Sequence, residues 1–177
     1  MEFNNQDLLL IVDMQNVYLP GQPWECKKIT DAILFIKDLI KKLPKNQIIF
    51  TQYVPFQNPT GVWKEYNSIN SEINKNPWMN DYVKDLKPYL SNGNLYTKST
   101  YSCCKNTELH DKINCFERVF LTGVVAECCI LSTVFDLIDM GKKIVYLKDG
   151  IAGKNRKKEE MIQNLLKELS PLHIVFE

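Results

Sequence analysis

The sequence predicts an α/β fold, a three-layer α/β/α sandwich built on a six-stranded, mainly parallel sheet. Apolar runs of strand length alternate along the whole chain with amphipathic segments of helix length, which is the order of βαβ units. The first run, residues 8–12, is continuously apolar, as is typical of a strand buried on both faces of a parallel sheet. No internal repeat, low-complexity tract or linker interrupts the alternation, so we expect one domain over residues 1–177.

Short runs rich in β-branched, aliphatic and aromatic residues predict the strands. The six predicted strands are residues 8–12, 47–51, 95–98, 119–121, 143–147 and 172–176. Small residues, 122–126, predict a turn from the fourth strand into a helix, and Asp149-Gly150 predicts a turn after the fifth.

Apolar spacing and capping residues predict the helices between these strands. The five predicted helices are residues 29–43, 77–86, 107–114, 129–140 and 156–169. Pro44 ends the first helix, Asn76 caps the second and Gly141 ends the fourth. Residues 52–76 carry Pro, Gly, Asn and aromatic residues without a period, which predicts a long loop that packs as a lid.

The composition excludes several classes of protein. Apolar residues make up 45% of the chain, charged residues 24%, and the net charge is +1, which argues against disorder and against a nucleic-acid-binding face. The longest apolar runs are far below the ~20 residues of a membrane span. The first residues, MEFNNQD, show no secretory signal, so we expect a cytoplasmic protein with six reduced cysteines and a small-molecule ligand, without a nucleic-acid or membrane partner.

Side chains capable of catalysis lie at or just after the ends of three predicted strands. Asp13 follows the first strand, Lys98 ends the third, and Cys128-Cys129 come after the fourth. Ligands of open parallel sheets bind in the crevice beyond the carboxyl ends of the strands, so these side chains are expected to meet at one edge. Each residue alone has an ordinary structural explanation: a turn carboxylate, a solvated charge, and a small core hydrophobe.

The two adjacent thiols stand at the predicted start of a helix, where unpaired N–H groups and the macrodipole favour negative charge. We therefore expect a depressed thiol pKa there. The two histidines, His110 and His173, are predicted away from this edge, so a Cys/His pair is disfavoured. Asp13 is then the candidate base, and Lys98 would orient it and offset a thiolate.

Three motifs resemble the isochorismatase-like cysteine hydrolases, which include nicotinamidases, carbamoylsarcosine-type and maleamate amidases, and isochorismatases. The motifs are LLLIVDMQN with Asp13, YTKSTYS with Lys98, and LTGVVAECCILSTVFDLIDMGKKIVYLKD. The last is specific because family members have a Gly-Val pair, three or four variable residues, and then the nucleophilic cysteine and an apolar residue on the helix. Counted from Gly123, that position is Cys129, and Cys128 falls on a variable position.

The resemblance implies a mechanism and a local geometry. It implies a catalytic triad of Asp13, Lys98 and Cys129 that hydrolyses a small amide through a thioester. It also implies a cis peptide bond between Val124 and Val125, with the backbone N–H groups of Val125 and Cys129 forming an oxyanion hole. Relatives are commonly oligomers, so a homodimer or tetramer is expected.

No metal and no cofactor are expected. Nicotinamidases of this family bind a metal through an Asp and two His shortly after the second strand, and the matching residues 51–56 contain no histidine. A four-thiolate zinc site from Cys103-Cys104 and Cys128-Cys129 is disfavoured because adjacent cysteines splay apart and no C-x-x-C spacing occurs.

Two other functions stay open from the sequence. One is an isochorismatase-type hydrolase that cleaves a vinyl ether with the Asp and Lys and does not need the thiol. The other is a non-catalytic binding protein of the same fold. Polar and aromatic loop residues are candidates to contact the substrate: Gln15, Tyr18, Trp24, Tyr53, Trp63, Tyr66 and Tyr101. Lys64 and Lys105 are the candidate loop cations, and the charge of the substrate is left undecided.

Overall fold

Six parallel strands form one sheet in the computed structural model, which describes residues 2–177. The strands are β1 (Asp7–Val12), β2 (Ile48–Tyr53), β3 (Leu95–Lys98), β4 (Arg118–Val124), β5 (Lys143–Ala152) and β6 (Ile174–Phe176). Their order across the sheet is β3-β2-β1-β4-β5-β6, and every neighbouring pair is parallel. The predicted fold class is confirmed.

Helices cover both faces of this sheet within residues 2–177. They are α1 (Ile29–Ile40), α2 (Val62–Ile69), α3 (Ser71–Asn74), α4 (Pro77–Asn80), α5 (Thr107–Asn114), α6 (Leu131–Asp139) and α7 (Arg156–Lys167). A π-helical turn, Ala126–Ile130, joins β4 to α6. None of these helices combines the length and the apolar character that crossing a bilayer requires.

The strand period divides the core into two layers. In β1, Leu8 and Leu10 pack into the cluster that contains α5, α6 and α7, whereas Leu9 and Ile11 pack into the cluster that contains α1. All four side chains are fully buried, because successive residues of a strand point to opposite faces of the sheet. The continuous apolar run is therefore explained by burial on both sides.

The strand order reverses direction between β1 and β4. From β1 the chain proceeds outward through β2 and β3, and from β4 it proceeds outward through β5 and β6 on the other side. The crevice beyond the carboxyl ends of β1 and β4 is thus the topological switch point of the sheet, where open α/β sheets bind ligands.

Several predicted boundaries differ from the structure. The lid segment 52–76 is not without structure: β2 extends to Tyr53, and the short helices α2 and α3 follow. The helix predicted over 77–86 is only the single turn α4. It ends there because Tyr82 forms an antiparallel β-bridge with Gln15 and buries its ring in the core.

The largest difference lies in β5. Instead of turning at Asp149-Gly150, β5 continues to Ala152. Its pairing with β4 steps from Leu121 opposite Tyr146 to Gly123 opposite Ile151, so the predicted turn is an irregularity inside the strand. The end of β5 is consequently brought level with the end of β4.

At Gly123 the backbone of β1 lies too close to β4 to leave room for a side chain. Its φ is +111°, and a Cβ atom there would lie 2.1 Å from the backbone oxygen of Val12. We expect Gly123→Ala to lower the free energy of unfolding by roughly 3 kcal/mol or more, because strain and overpacking add. Urea unfolding measures this.

Gly93→Ala is the matched control, because a Cβ atom at Gly93 meets nothing within 4 Å. Its expected change is within about 0.5 kcal/mol. Equal stability of the two variants would contradict the close approach of β1 and β4 at Gly123.

Candidate active site

A buried ion pair lies at the carboxyl edge of the sheet. The Lys98 Nζ is 2.6 Å from the Asp13 Oδ2, and both side chains are 1% exposed or less. Asp13 directly follows β1, Lys98 ends β3, and β2 lies between these two strands. A carboxylate and an ammonium so far from water are stable only as partners, so each fixes the charge of the other.

The backbone and β2 hold Asp13 in place. Asp13 has a φ of +53°, in the left-handed region that few residues other than glycine adopt. Its N–H donates to the Thr51 backbone oxygen at 3.1 Å, and the Thr51 hydroxyl donates to Asp13 Oδ1 at 2.8 Å. The unusual conformation therefore aims the carboxylate across the sheet edge, with one oxygen bound to Thr51 and the other facing Lys98.

Lys98 also contacts the loop after β3 and lies beside the thiol. Its Nζ donates to the backbone oxygens of Thr100 at 2.9 Å and Tyr101 at 3.0 Å. The Cys129 Sγ lies 3.3 Å away. Burial acts to lower the pKa of Lys98, but the Asp13 carboxylate and the Cys129 sulfur outweigh it and raise that pKa above its usual value. The ammonium stays charged beside the thiol.

The expected depression of the Cys129 pKa is wrong. Burial, and then the adjacent Asp13 carboxylate, raise the pKa of this thiol to about 12, although Lys98 acts in the opposite direction. Burial also raises the pKa of Cys128. The predicted benefit of a helix start is outweighed because the sulfur is desolvated and faces a carboxylate. The resting site therefore holds a neutral Cys129 thiol beside an ion pair.

The turn that carries Cys129 is π-helical. Cys128 and Ile130 both donate their N–H groups to the Val125 backbone oxygen, at 3.0 and 3.2 Å, whereas the Cys129 N–H between them makes no such bond in the described chain. The peptide bond between Val124 and Val125 is cis. The Val125 N–H has no hydrogen-bond acceptor within residues 2–177. Val125 and Cys129 both line the adjacent cavity.

This cavity has a volume of about 260 Å³ and opens above Cys129. Five aromatic residues line it: Tyr18, Trp24, Tyr53, Tyr66 and Tyr101. The Tyr53 hydroxyl is buried and has no hydrogen-bond partner in the described part of the chain. Mostly aromatic walls with a few polar groups are typical of small-molecule sites.

Two of the substrate-contact candidates lie elsewhere. Gln15 is buried, and its amide is occupied by the Tyr53 backbone, accepting from its N–H at 2.8 Å and donating to its oxygen at 3.1 Å. Trp63 lines a neighbouring groove and contacts the ring of Tyr101, with centroids 5.4 Å apart. Gln15 and Trp63 thus support the wall from behind, while Tyr18, Tyr53 and Tyr101 face the cavity.

Sequence reasoning missed three charged residues of the cavity wall, Glu127, Lys154 and Lys158. The candidates Lys64 and Lys105 do not line the cavity. Lys154 was missed because the fifth strand was expected to end at residue 147; its true end at Ala152 puts Lys154 beside the site. Glu127 could have been predicted beside the site from the sequence, because it stands only two residues before Cys129.

Comparison with known proteins identifies the family of the chain. Residues 7–172 match the isochorismatase domain family, so the chain belongs to the isochorismatase family, a family of hydrolases. The predicted family resemblance is confirmed. No curated protein matches the chain in sequence.

Solved structures share the fold at low sequence identity. A cysteine hydrolase from Pseudomonas syringae pv. phaseolicola has a TM-score of 0.81 at 18% identity, over 96% of this chain and 87% of that one. The pyrazinamidase of Pyrococcus horikoshii, solved with zinc, has a TM-score of 0.74 at 21% identity, over 97% and 98%. Nicotinamidase from Bacillus subtilis has a TM-score of 0.73 at 16% identity, over 97% and 98%.

The zinc of the pyrazinamidase structure has no fitting donor set here. Within residues 2–177 no group of three or more His, Cys, Asp or Glu side chains is arranged to hold a metal ion. After Thr51, whose hydroxyl is used by Asp13, the next side chain, Gln52, donates its amide to the Asn80 backbone oxygen at 2.8 Å. We therefore derive no step through a metal.

The raised pKa of Cys129 predicts its alkylation behaviour. In a Cys128→Ser background, we expect iodoacetamide to label Cys129 at pH 7 about a hundredfold more slowly than free cysteine, because little thiolate is present. The rate should rise about tenfold per pH unit up to pH 10, since the thiolate fraction does so below the pKa. Peptide mass spectrometry measures the labelling.

Asp13→Asn should accelerate labelling at pH 7, because it removes the carboxylate that disfavours the thiolate and leaves the Lys98 ammonium in place. Circular dichroism establishes that the variant is folded. Fast labelling of the parent at pH 7 that Asp13→Asn slows would contradict the neutral resting thiol.

Proposed function

We propose that the protein is a cysteine-dependent amidase that hydrolyses a small non-peptide amide through a thioester on Cys129. The observation that supports this most is the chain of contacts from Asp13 through Lys98 to the Cys129 Sγ, at 2.6 and 3.3 Å, beneath an aromatic cavity. Lys98 thus contacts both an acid–base group and a nucleophile, the two kinds of group that nucleophilic catalysis combines.

In the first step Asp13 takes the thiol proton as the sulfur attacks the amide carbon. A C–S bond forms, and the carbonyl π electrons move to the oxygen. The proton leaves only as the attack occurs, because the free thiol is a weak acid in this site. The Lys98 ammonium stabilises the negative charge that develops on the sulfur, and its bonds to the Thr100 and Tyr101 oxygens fix its position.

The N–H groups of Val125 and Cys129 are proposed to bind the developing oxyanion. Both residues line the cavity. The Val125 N–H has no acceptor within residues 2–177, and the Cys129 N–H does not donate to the Val125 carbonyl, which accepts from Cys128 and Ile130. Preorganised donors of this kind are worth ~2.7–4 kcal/mol each in acyl transfer.

The second half of the proposed reaction releases the products and regenerates the thiol. Protonated Asp13 gives its proton to the nitrogen as the C–N bond breaks, and the amine or ammonia leaves. Water then attacks the thioester, Asp13 takes a proton from it, and the C–S bond breaks. The proton passes to the sulfur, so the net reaction is amide plus water to carboxylic acid plus amine.

The aromatic cavity is proposed to bind the body of the substrate. Tyr18, Tyr53 and Tyr101 would contact it, and the unpartnered Tyr53 hydroxyl would supply a directional hydrogen bond. A vinyl-ether hydrolase is less well supported, because such a reaction gives no role to a thiol in contact with the ion pair.

Removal of the sulfur tests the proposal directly. On a panel of small primary amides and ureides, Cys129→Ala is expected to lower ammonia release by about 10⁴-fold or more, since triad residues act as a unit. The control is Cys115→Ser, which removes an exposed thiol on another part of the surface and should leave the rate unchanged. Intact-protein mass spectrometry should detect an acyl adduct on the parent protein only.

Each other outcome identifies an alternative. Full turnover by Cys129→Ala would refute the thioester mechanism. Vinyl-ether cleavage that depends on Asp13 and not on Cys129 would support the isochorismatase-type reaction. Absence of turnover of amides and vinyl ethers alike would favour a non-catalytic binding protein.

A further inference from the structure

One part of the cavity wall carries charge. Glu127 lies in the π-helical turn two residues before Cys129, Lys154 follows β5, and Lys158 lies in the first turn of α7. All three line the cavity that also contains the five aromatic rings and Cys129. They form one cluster, because Glu127 contacts both of the others.

Within this cluster the carboxylate of Glu127 already has its partners. Its Oε1 is 3.3 Å from the Lys158 Nζ, and its Oε2 accepts from the Lys154 backbone N–H at 3.3 Å. The Glu127 side chain is only 10% exposed, so these contacts hold a mostly buried charge. Glu127 is thereby neutralised by Lys158 and has little capacity left for a cationic ligand.

Lys154 contributes a second cation without a counter-charge. No carboxylate oxygen of residues 2–177 lies within 4.0 Å of its ammonium. Deeper in the site, Asp13 and Lys98 balance each other and the Cys129 thiol is neutral. The charged groups around the cavity therefore leave an excess of one positive charge, at the Lys154 side.

The excess charge decides between two ligand chemistries. Aromatic rings attract cations, and five rings alone would suit an ammonium ligand. The unbalanced ammonium of Lys154, an exposed residue of the cavity wall, disfavours such a ligand and attracts an anion. The rings then serve the uncharged body of the ligand.

We propose that the substrate is a small amide with a carboxylate at its other end, which binds between Lys154 and Lys158 while the amide carbon rests at Cys129. This inference rests on the proposed function for the reaction and adds the class of substrate. The Lys154 ammonium is the specificity-determining group, and Lys158 both compensates Glu127 and flanks the carboxylate.

Matched pairs of amides test the proposal. The charged probes are 3-carbamoylbenzoate and succinamate, and their neutral isosteres, 3-acetylbenzamide and 4-oxopentanamide, carry a methyl ketone in place of the carboxylate. Ammonia release is measured for all four. We expect kcat/KM to favour the charged member of at least one pair by about tenfold, as a charge-assisted hydrogen bond provides.

Lys154→Gln should remove most of this preference by lowering kcat/KM for the charged amide and leaving the neutral isostere within about twofold. The matched control is Lys157→Gln, which removes the same charge from an exposed neighbour that does not line the cavity. Raising the ionic strength to about 1 M, where the Debye length is about 3 Å, should weaken the preference of the parent protein in the same way.

Binding supplies a readout that does not depend on turnover. Isothermal titration of Cys129→Ala with isophthalate and with succinate should show binding that is weakened about tenfold by Lys154→Gln and unaffected by Lys157→Gln. Lys154-dependent binding without ammonia release from any amide supports the carboxylate site and refutes the amidase reaction.

Two results would overturn the inference while the amidase proposal survives. One is equal or better ammonia release from the neutral isosteres. The other is an identical effect of Lys154→Gln and Lys157→Gln on every probe. Absence of both turnover and carboxylate binding overturns the substrate class as well as the reaction.

Discussion

The buried contact between Lys98 and Asp13 is the interaction on which the rest of the site depends. Two charges removed from water cost several kcal/mol each unless they are paired and otherwise hydrogen-bonded, and here both conditions are met. Asp13 is bound by Thr51, and Lys98 is bound by the Thr100 and Tyr101 carbonyls. The ends of β1, β2 and β3 are thereby fixed to one another.

Burial and this ion pair together set the state of the sulfur. Burial raises the pKa of Cys129 most, the Asp13 carboxylate raises it further, and the Lys98 ammonium acts in the opposite direction. A neutral thiol beside a charged pair is protected from indiscriminate reaction. In the reaction we propose, the same carboxylate that disfavours the thiolate accepts the proton as the sulfur attacks, so protection and activation come from one group.

The sequence was informative wherever a single physical pattern dominated. The continuous apolar run at β1 and the short run at β3 predicted strands close to their true bounds, and the residues at their ends were placed at the correct edge of the sheet. Rules for parallel sheets are sufficient for that inference, since carboxyl ends gather at one edge.

The failures came from tertiary contacts that override local signals. Asp149-Gly150 has turn chemistry, but pairing with β4 carries β5 past it to Ala152. A helix start favours thiolates, but burial and Asp13 reverse the effect at Cys129. The electrostatics of the cavity could not be derived from composition, because they depend on which of many lysines the end of β5 and the start of α7 bring to its rim.

A double-mutant cycle on the free energy of unfolding tests the central ion pair most directly. The cycle compares Asp13→Asn, Lys98→Met and the double variant by urea unfolding. Each single change strands a buried charge or an unmatched polar group, so the double variant is predicted to be at least ~2 kcal/mol more stable than the sum of the single effects implies. Additive effects, within about 0.5 kcal/mol, would contradict the claim that these two residues form one buried unit.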